Sequence, residues 1–263
     1  MTIDEINSCG RTLEQSLILR YAPIAVRLLK SEADTPDGCV RPFRDRGQHL
    51  AICQAFALVR RERHTIAMFN DDHHCPFPMI AIGSVPFRDG TPGYEMVTPM
   101  LFTEDPDKSR EFFKQHWPRL PEGSYAGMAL APLSDACFEP DVTLIYCNSA
   151  QLRSLLMAAK FKSGKPVVSE FDSIDSCAHS LIPAITKGDY RITIPDPGEY
   201  ERALTDEDEM IFSVPQSKLS ELIAGVEAVS AMGMGYRGLH MEMFADFPRP
   251  PFYTELFQGW GLG

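Results

Sequence analysis

A hexapeptide followed almost at once by an amphipathic helix does most to limit what this chain can fold into. Asp141-Val142-Thr143-Leu144-Ile145-Tyr146 is an apolar run of strand length, and it reads as a strand buried on both faces. Over residues 149–161, Leu152, Leu155, Leu156 and Ala159 fall on one helical face. A doubly buried strand requires helices on both sides of its sheet. The passage from strand to helix has the form of half a βαβ crossover.

The remaining pattern agrees with that beginning. Residues 12–21 carry the apolar stripe of a helix, Pro23 ends it, and residues 24–29 read as a second buried strand. A helix over 50–61 contains Cys53 in its first half, and a strand over 65–69 runs into the turn Asn70-Asp71-Asp72. Prolines and glycines between 76 and 106 leave no long periodic element. Further helices are predicted over 108–117, 177–185, 199–203 and 215–229, and strands over 125–133 and 210–214. Asp175 or Ser176 would cap the helix at 177, and that cap would favour a thiolate at Cys177. The expected fold is α/β or α+β: a single compact domain over 1–263, with a mixed sheet flanked by helices.

From about residue 232 the chain looks loop-like, but Phe244, Phe247, Phe252, Tyr253, Phe257 and Trp260 are too apolar to be left in water. This tail is expected to pack on the body or on a second subunit, giving a homo-oligomer. Hydrophobic residues at 44% and charged residues at 23% match a globular chain with a packed core. A net charge of −11 argues against nucleic acid and anionic membrane as partners. The basic run Arg60, Arg61, Arg63 reads as the solvated end of a helix. No stretch approaches the roughly 20 unbroken apolar residues of a membrane helix, and the first residues lack the basic and apolar regions of a signal peptide. Seven cysteines without tight even spacing suit a reducing compartment, so a cytoplasmic protein is expected.

Three of those cysteines sit in small polar knots: Cys53 in Cys-Gln-Ala, Cys75 in Asp-Asp-His-His-Cys-Pro, and Cys177 in Asp-Ser-Cys-Ala-His. Gathered together, three thiolates with one open position would suit an iron–sulfur cluster, and thiolates with His74 or His179 would suit zinc. The alternatives are thiols that fill a core with no cofactor, or a reactive thiol without metal. Asp71-Asp72-His73-His74 is either a ligand or general-base group or a polar turn. His74 is preferred because it adjoins Cys75, while alternation turns His73 away. Arg191, in Lys187-Gly188-Asp189-Tyr190-Arg191, and Arg202 beyond it offer a carboxylate or phosphate site, or else exposed ion pairs. Serine-hydrolase elbows, Walker loops, His-Glu-x-x-His and kinase signatures are absent.

In their order along the chain, several of these segments resemble the DUF169 family, also called ArCR, of archaea and anaerobic bacteria. The resemblance starts at Pro23-Ile24-Ala25-Val26-Arg27 and continues through Cys53-Gln54-Ala55, His74-Cys75-Pro76, Pro140 to Tyr146, Gln151 and Leu155. It ends with Cys177, Gly188, Arg191, Glu209 and Val214-Pro215. It implies no settled activity. It does imply that Cys53, Cys75 and Cys177 are the recurrent thiols and Cys9, Cys39, Cys137 and Cys147 the incidental ones. Some members resembling it carry another cysteine near 188–191, where this chain has none.

The leading expectation is an iron–sulfur or metal-dependent enzyme or redox protein, an oxidoreductase or lyase acting on a small anionic metabolite. Cys53, Cys75 and Cys177 would hold the cofactor, His74 would act as acid or base, and Arg191 would orient the substrate. The alternative is a cofactor-free metabolite-binding or regulatory protein, or a subunit of a larger complex.

Overall fold

Among the described residues of the computed structural model, 1–100, 103–237 and 249–262, six strands form one sheet. They are β1 (Ile24–Leu29), β2 (Ile66–Phe69), β3 (Gly127–Pro132), β4 (Val142–Cys147), β5 (Arg191–Thr193) and β6 (Met210–Pro215), in the order β2-β3-β1-β4-β6-β5. Every ladder between neighbours is antiparallel. Parallel contacts are confined to two isolated bridges, Val40 with Ile66 and Leu50 with His73.

The helices are α1 (Ile3–Ser16), α2 (Pro42–Arg46), α3 (Ile52–Glu62), α4 (Phe77–Ala81), α5 (Pro92–Val97), α6 (Pro106–Gln115), α7 (Ser149–Ser163), α8 (Ser176–Lys187), α9 (Pro197–Arg202), α10 (Gln216–Ala231) and α11 (Pro251–Gly259). Strand alternation divides them between two layers. Ile24, Val26 and Leu28 of β1 meet a core built with α3, α4 and α8. Ala25 and Leu29 meet the opposite core, with α1, α7 and α10. Both faces of the sheet are therefore covered, as its apolar strands require.

The crossover after β4 is a split one. Both β4 and β5 run antiparallel to β6, so they share a direction while β6 lies between them, and α7 and α8 occupy the connection. On the α7 side, Gly225 of α10 lets the two helices touch: a Cβ there would lie 2.2 Å from the Ala158 carbonyl oxygen. Gly225→Ala is expected to lower stability by about 1–3 kcal/mol through overpacking, measured by urea unfolding. An unchanged midpoint would refute the close approach.

Three expectations change. Helix α1 begins near the N-terminus rather than at 12, because Thr2 and Glu5 form a reciprocal cap: the Glu5 amide donates to Thr2 Oγ1 at 3.2 Å, and the Thr2 amide to Glu5 Oε2 at 2.8 Å. Arg60 is not a solvated helix end but is 2% exposed, with its Nη1 donating to Glu209 Oε1 at 2.7 Å and its guanidinium 4.1 Å from the Tyr146 ring. The tail is also not purely loop, since it contains α11. Phe252, Tyr253 and Trp260 remain exposed there, and Phe244 and Phe247 lie outside the described residues. No helix among the described residues is long and apolar enough to cross a membrane.

Candidate functional site

Cys53, Cys75 and Cys177 line one cavity of about 350 Å³, on the sheet face that carries α3, α4 and α8. Each thiol is delivered by a different device. Cys53 is the second residue of α3, whose first turn is closed by Gln54: its Oε1 accepts from the Ala51 amide at 2.9 Å. The Gln in Cys-Gln-Ala is therefore a helix cap that places the preceding thiol.

Cys75 follows the turn at Asn70–Asp72, and the aspartates of that turn are already committed. Asp72 is wholly buried and accepts from Arg41 Nε at 2.6 Å and from the Phe43 and Phe69 amides at 2.9 Å each. Asp71 takes Arg41 Nη2 at 2.6 Å. The acidic pair thus anchors the loop to a buried arginine, which favours the polar-turn reading over a ligand or base role. The His74 amide donates to the Leu50 carbonyl, but its side chain is exposed and does not line the cavity. His73 is buried with both ring nitrogens unpartnered, and burial pushes its pKa down to about 4.

Cys177 is the second residue of α8. The Ser176 amide donates to Asp196 Oδ2 at 3.0 Å, and its hydroxyl donates to Glu199 Oε1 at 2.5 Å while lying 3.1 Å from Asp196 Oδ2. Asp175 makes no cap. It occupies the left-handed region at φ 52° and accepts from the Trp117 indole N–H at 2.8 Å. The expected thiolate at Cys177 is overturned, because burial outweighs the helix terminus and holds this thiol well above its ordinary value. Burial also pushes Cys53 up to about 12, with Glu199 and Asp196 adding to the effect, and raises Cys75.

The fourth side of the cavity is α9, introduced by Asp196-Pro197-Gly198. Asp196 accepts from the Glu199 amide at 3.0 Å, and Pro197 occupies the first helical position. A Cβ on Gly198 would lie 2.8 Å from Arg202 Nη2, so this glycine makes room for the arginine beside the thiols. Asp-Pro-Gly was readable as a helix start, but nothing local marked it as a wall of the site. Behind it, Glu199 accepts from the Tyr146 hydroxyl at 2.8 Å, and Tyr146 stacks under Arg60. Burial raises both Glu199 and Asp175 to about 7.

Arg191 is elsewhere. It is buried and lines a second cavity together with His179, while Arg202 is the cationic side chain at the cysteines. Among the described residues no group of three His, Cys, Asp or Glu side chains is gathered for one metal ion. Cys9 and Cys147 are packed in the opposite core.

Buried, protonated thiols are poor nucleophiles, so the arrangement disfavours a metal-free attacking cysteine. A bound soft metal would supply the positive charge needed to deprotonate them. The three thiols fit such a group by donor chemistry, and the histidines that would complete a zinc set point to other places.

No solved structure matches the chain. An uncharacterised protein of Methanocaldococcus jannaschii, MJ0308, is 24% identical over 232 residues, covering 86% of this chain and 96% of that protein. The DUF169 family model, described as an uncharacterised ArCR family, matches residues 12–225. With most of its length inside that match, the chain belongs to the DUF169 family.

Proposed function

We propose that this is a cytoplasmic iron–sulfur or soft-metal enzyme in which Cys53, Cys75 and Cys177 hold the cofactor and a small anionic metabolite enters the same cavity. One observation carries the reading: three cysteines from distant parts of the chain line a single cavity rather than filling the core separately. Three thiolates leave one position open, so the bound group would supply a Lewis-acid or one-electron centre for oxidoreductase or lyase chemistry.

The chain's own groups would do the rest. Gln54 and Ser176 set the first turns that hold Cys53 and Cys177, and the Asp72–Arg41 pair holds the loop that carries Cys75. Arg202, beside Gly198, would meet a carboxylate or phosphate entering the cavity. Asp196 and Glu199 tie α8 to α9, so the wall bearing Cys177 and the wall bearing Arg202 move as one unit.

The test is a visible spectrum with iron, zinc and sulfide analysis on protein purified without oxygen. A broad absorbance near ~400 nm with stoichiometric iron and sulfide is expected. Cys53→Ala, Cys75→Ala and Cys177→Ala should each empty the site, while Cys147→Ala should not. Colourless, metal-free protein after attempted reconstitution, or full cofactor in all three variants, would sink the proposal and leave a cofactor-free metabolite-binding protein.

A further inference from the structure

A second cavity, of about 660 Å³, shares helix α8 with the cysteine cavity but none of its thiols. Trp117 lines it, and the indole N–H of that residue is bonded to Asp175 of the first cavity. Helix α8 sends Cys177 into one cavity and His179 and Lys187 into the other.

Its wall holds two polar groups whose bonding is incomplete. Arg191 is 7% exposed. Among the described residues, its guanidinium makes one hydrogen bond, to the Val168 carbonyl at 3.3 Å, and one long ion pair, at 3.6 Å, to the exposed Glu170. Guanidinium carries five N–H donors, so most of its capacity is uncommitted. His179 Nε2 is buried on the same wall with no partner. The uncommitted N–H groups of Arg191 border the cavity, where an anion would complete their bonding.

Charge agrees. In a chain with a net charge of −11, this cavity places Arg119, Lys187 and Arg191 against Glu170 and Asp172, three positive charges to two negative. Phe112 and Phe171 supply flat apolar surface beside them. The volume suits a small organic molecule.

We infer that this cavity is a second binding site, for a small organic anion with a flat apolar body. Arg191 and Lys187 take its carboxylate or phosphate, and Phe112 and Phe171 pack on the body. The site does not depend on a cofactor at the cysteines.

The chain has two tryptophans, so in a Trp260→Phe variant the emission reports Trp117 alone. That variant is titrated with benzoate, phenyl phosphate and inorganic phosphate by fluorescence, and by calorimetry to register binding that leaves emission unchanged. Saturable binding of benzoate or phenyl phosphate is expected, and the tighter of the two identifies the headgroup. Arg191→Gln should weaken it about tenfold or more, the scale of one charge-assisted hydrogen bond. Lys187→Glu, a surface change that should leave folding intact, should weaken it several-fold and decides the matter if Arg191→Gln does not fold. No saturable binding of either aromatic probe up to about 10 mM, weaker than any useful site, would overturn the proposal. So would unchanged affinity in Lys187→Glu. Inorganic phosphate binding as tightly as phenyl phosphate would overturn the role given to Phe112 and Phe171.

Discussion

Asp72→Ala is expected to cost about 3–5 kcal/mol, the scale for removing one partner of a buried ion pair. Asp72 is fully buried and accepts three hydrogen bonds, so its loss leaves the buried guanidinium of Arg41 without its one buried carboxylate partner among the described residues. The Phe43 and Phe69 amides would also lose their acceptor. Asp71 and Glu32 still face Arg41, but both are exposed and cannot substitute for a carboxylate in the core. Urea unfolding measures the loss, and Asp72→Asn, which keeps the shape and one acceptor oxygen, should lose less. The same turn delivers Cys75, so folded Asp72→Asn protein should also retain less cofactor after reconstitution than the parent. A loss below about 1 kcal/mol in Asp72→Ala, the ordinary value for a surface change, would show that the turn is held by something else.

Between pH 5 and 8 Glu199 is expected to lower stability as pH rises, while His73, whose pKa burial pushes down to about 4, acts in the opposite direction below its ordinary value of 6.5. Burial raises this carboxyl from its ordinary value of 4.5 to about 7, offset in part by hydrogen bonds from Ser176 and Tyr146. At Glu199 the folded chain therefore binds a proton that the unfolded chain has released, and this group's contribution to stability declines with pH while that difference lasts. Glu199 favours the folded state fully below about pH 4.5, and that contribution is gone once pH has risen through about 7. The gap corresponds to about 3 kcal/mol. Asp175 contributes in the same direction, raised by its own burial to about 7. Glu199→Gln removes one of the two titrations, so the difference between parent and variant across the pH range isolates it. A parent and a variant whose stabilities run parallel from pH 5 to 8 would refute a raised Glu199.

Much of this fold is legible in local pattern. Residues 24–29 read as a doubly buried strand because all but Arg27 are apolar, and β1 has those bounds. Helix α7 is legible from Leu152 and Leu155, with Asn148 accepting from the Ala150 and Gln151 amides at its start. Arg60 was misread because a helix ending in arginines has the same sequence whether water or Glu209 waits beyond it. Glu209 is brought there only by the approach of β6. Strand β5 has three residues and too little pattern to stand out, yet it completes the sheet edge and buries Arg191.

The candidate site divides along the same line. The thiols themselves, their polar neighbours and the Gln54 cap beside Cys53 are local features, since such a cap is made within three residues and leaves its signature there. Ser176 beside Cys177, by contrast, is held by Asp196 from a distant part of the chain. Convergence is not local: Cys53, Cys75 and Cys177 line one cavity because α3, the loop before α4 and the start of α8 pack on one face of the sheet. Separation of Arg191 from Arg202 is likewise tertiary, for both are arginines near acidic residues in sequence but line different cavities. Protonation followed the tertiary structure too. The helix start at Cys177 argued for a thiolate, and desolvation, which depends on everything packed around the sulfur, reversed it. Short-range hydrogen bonds and periodicity thus determined the elements and the candidate thiols from sequence alone. Burial and long-range packing, which no local window contains, decided which groups face one another and which carry charge.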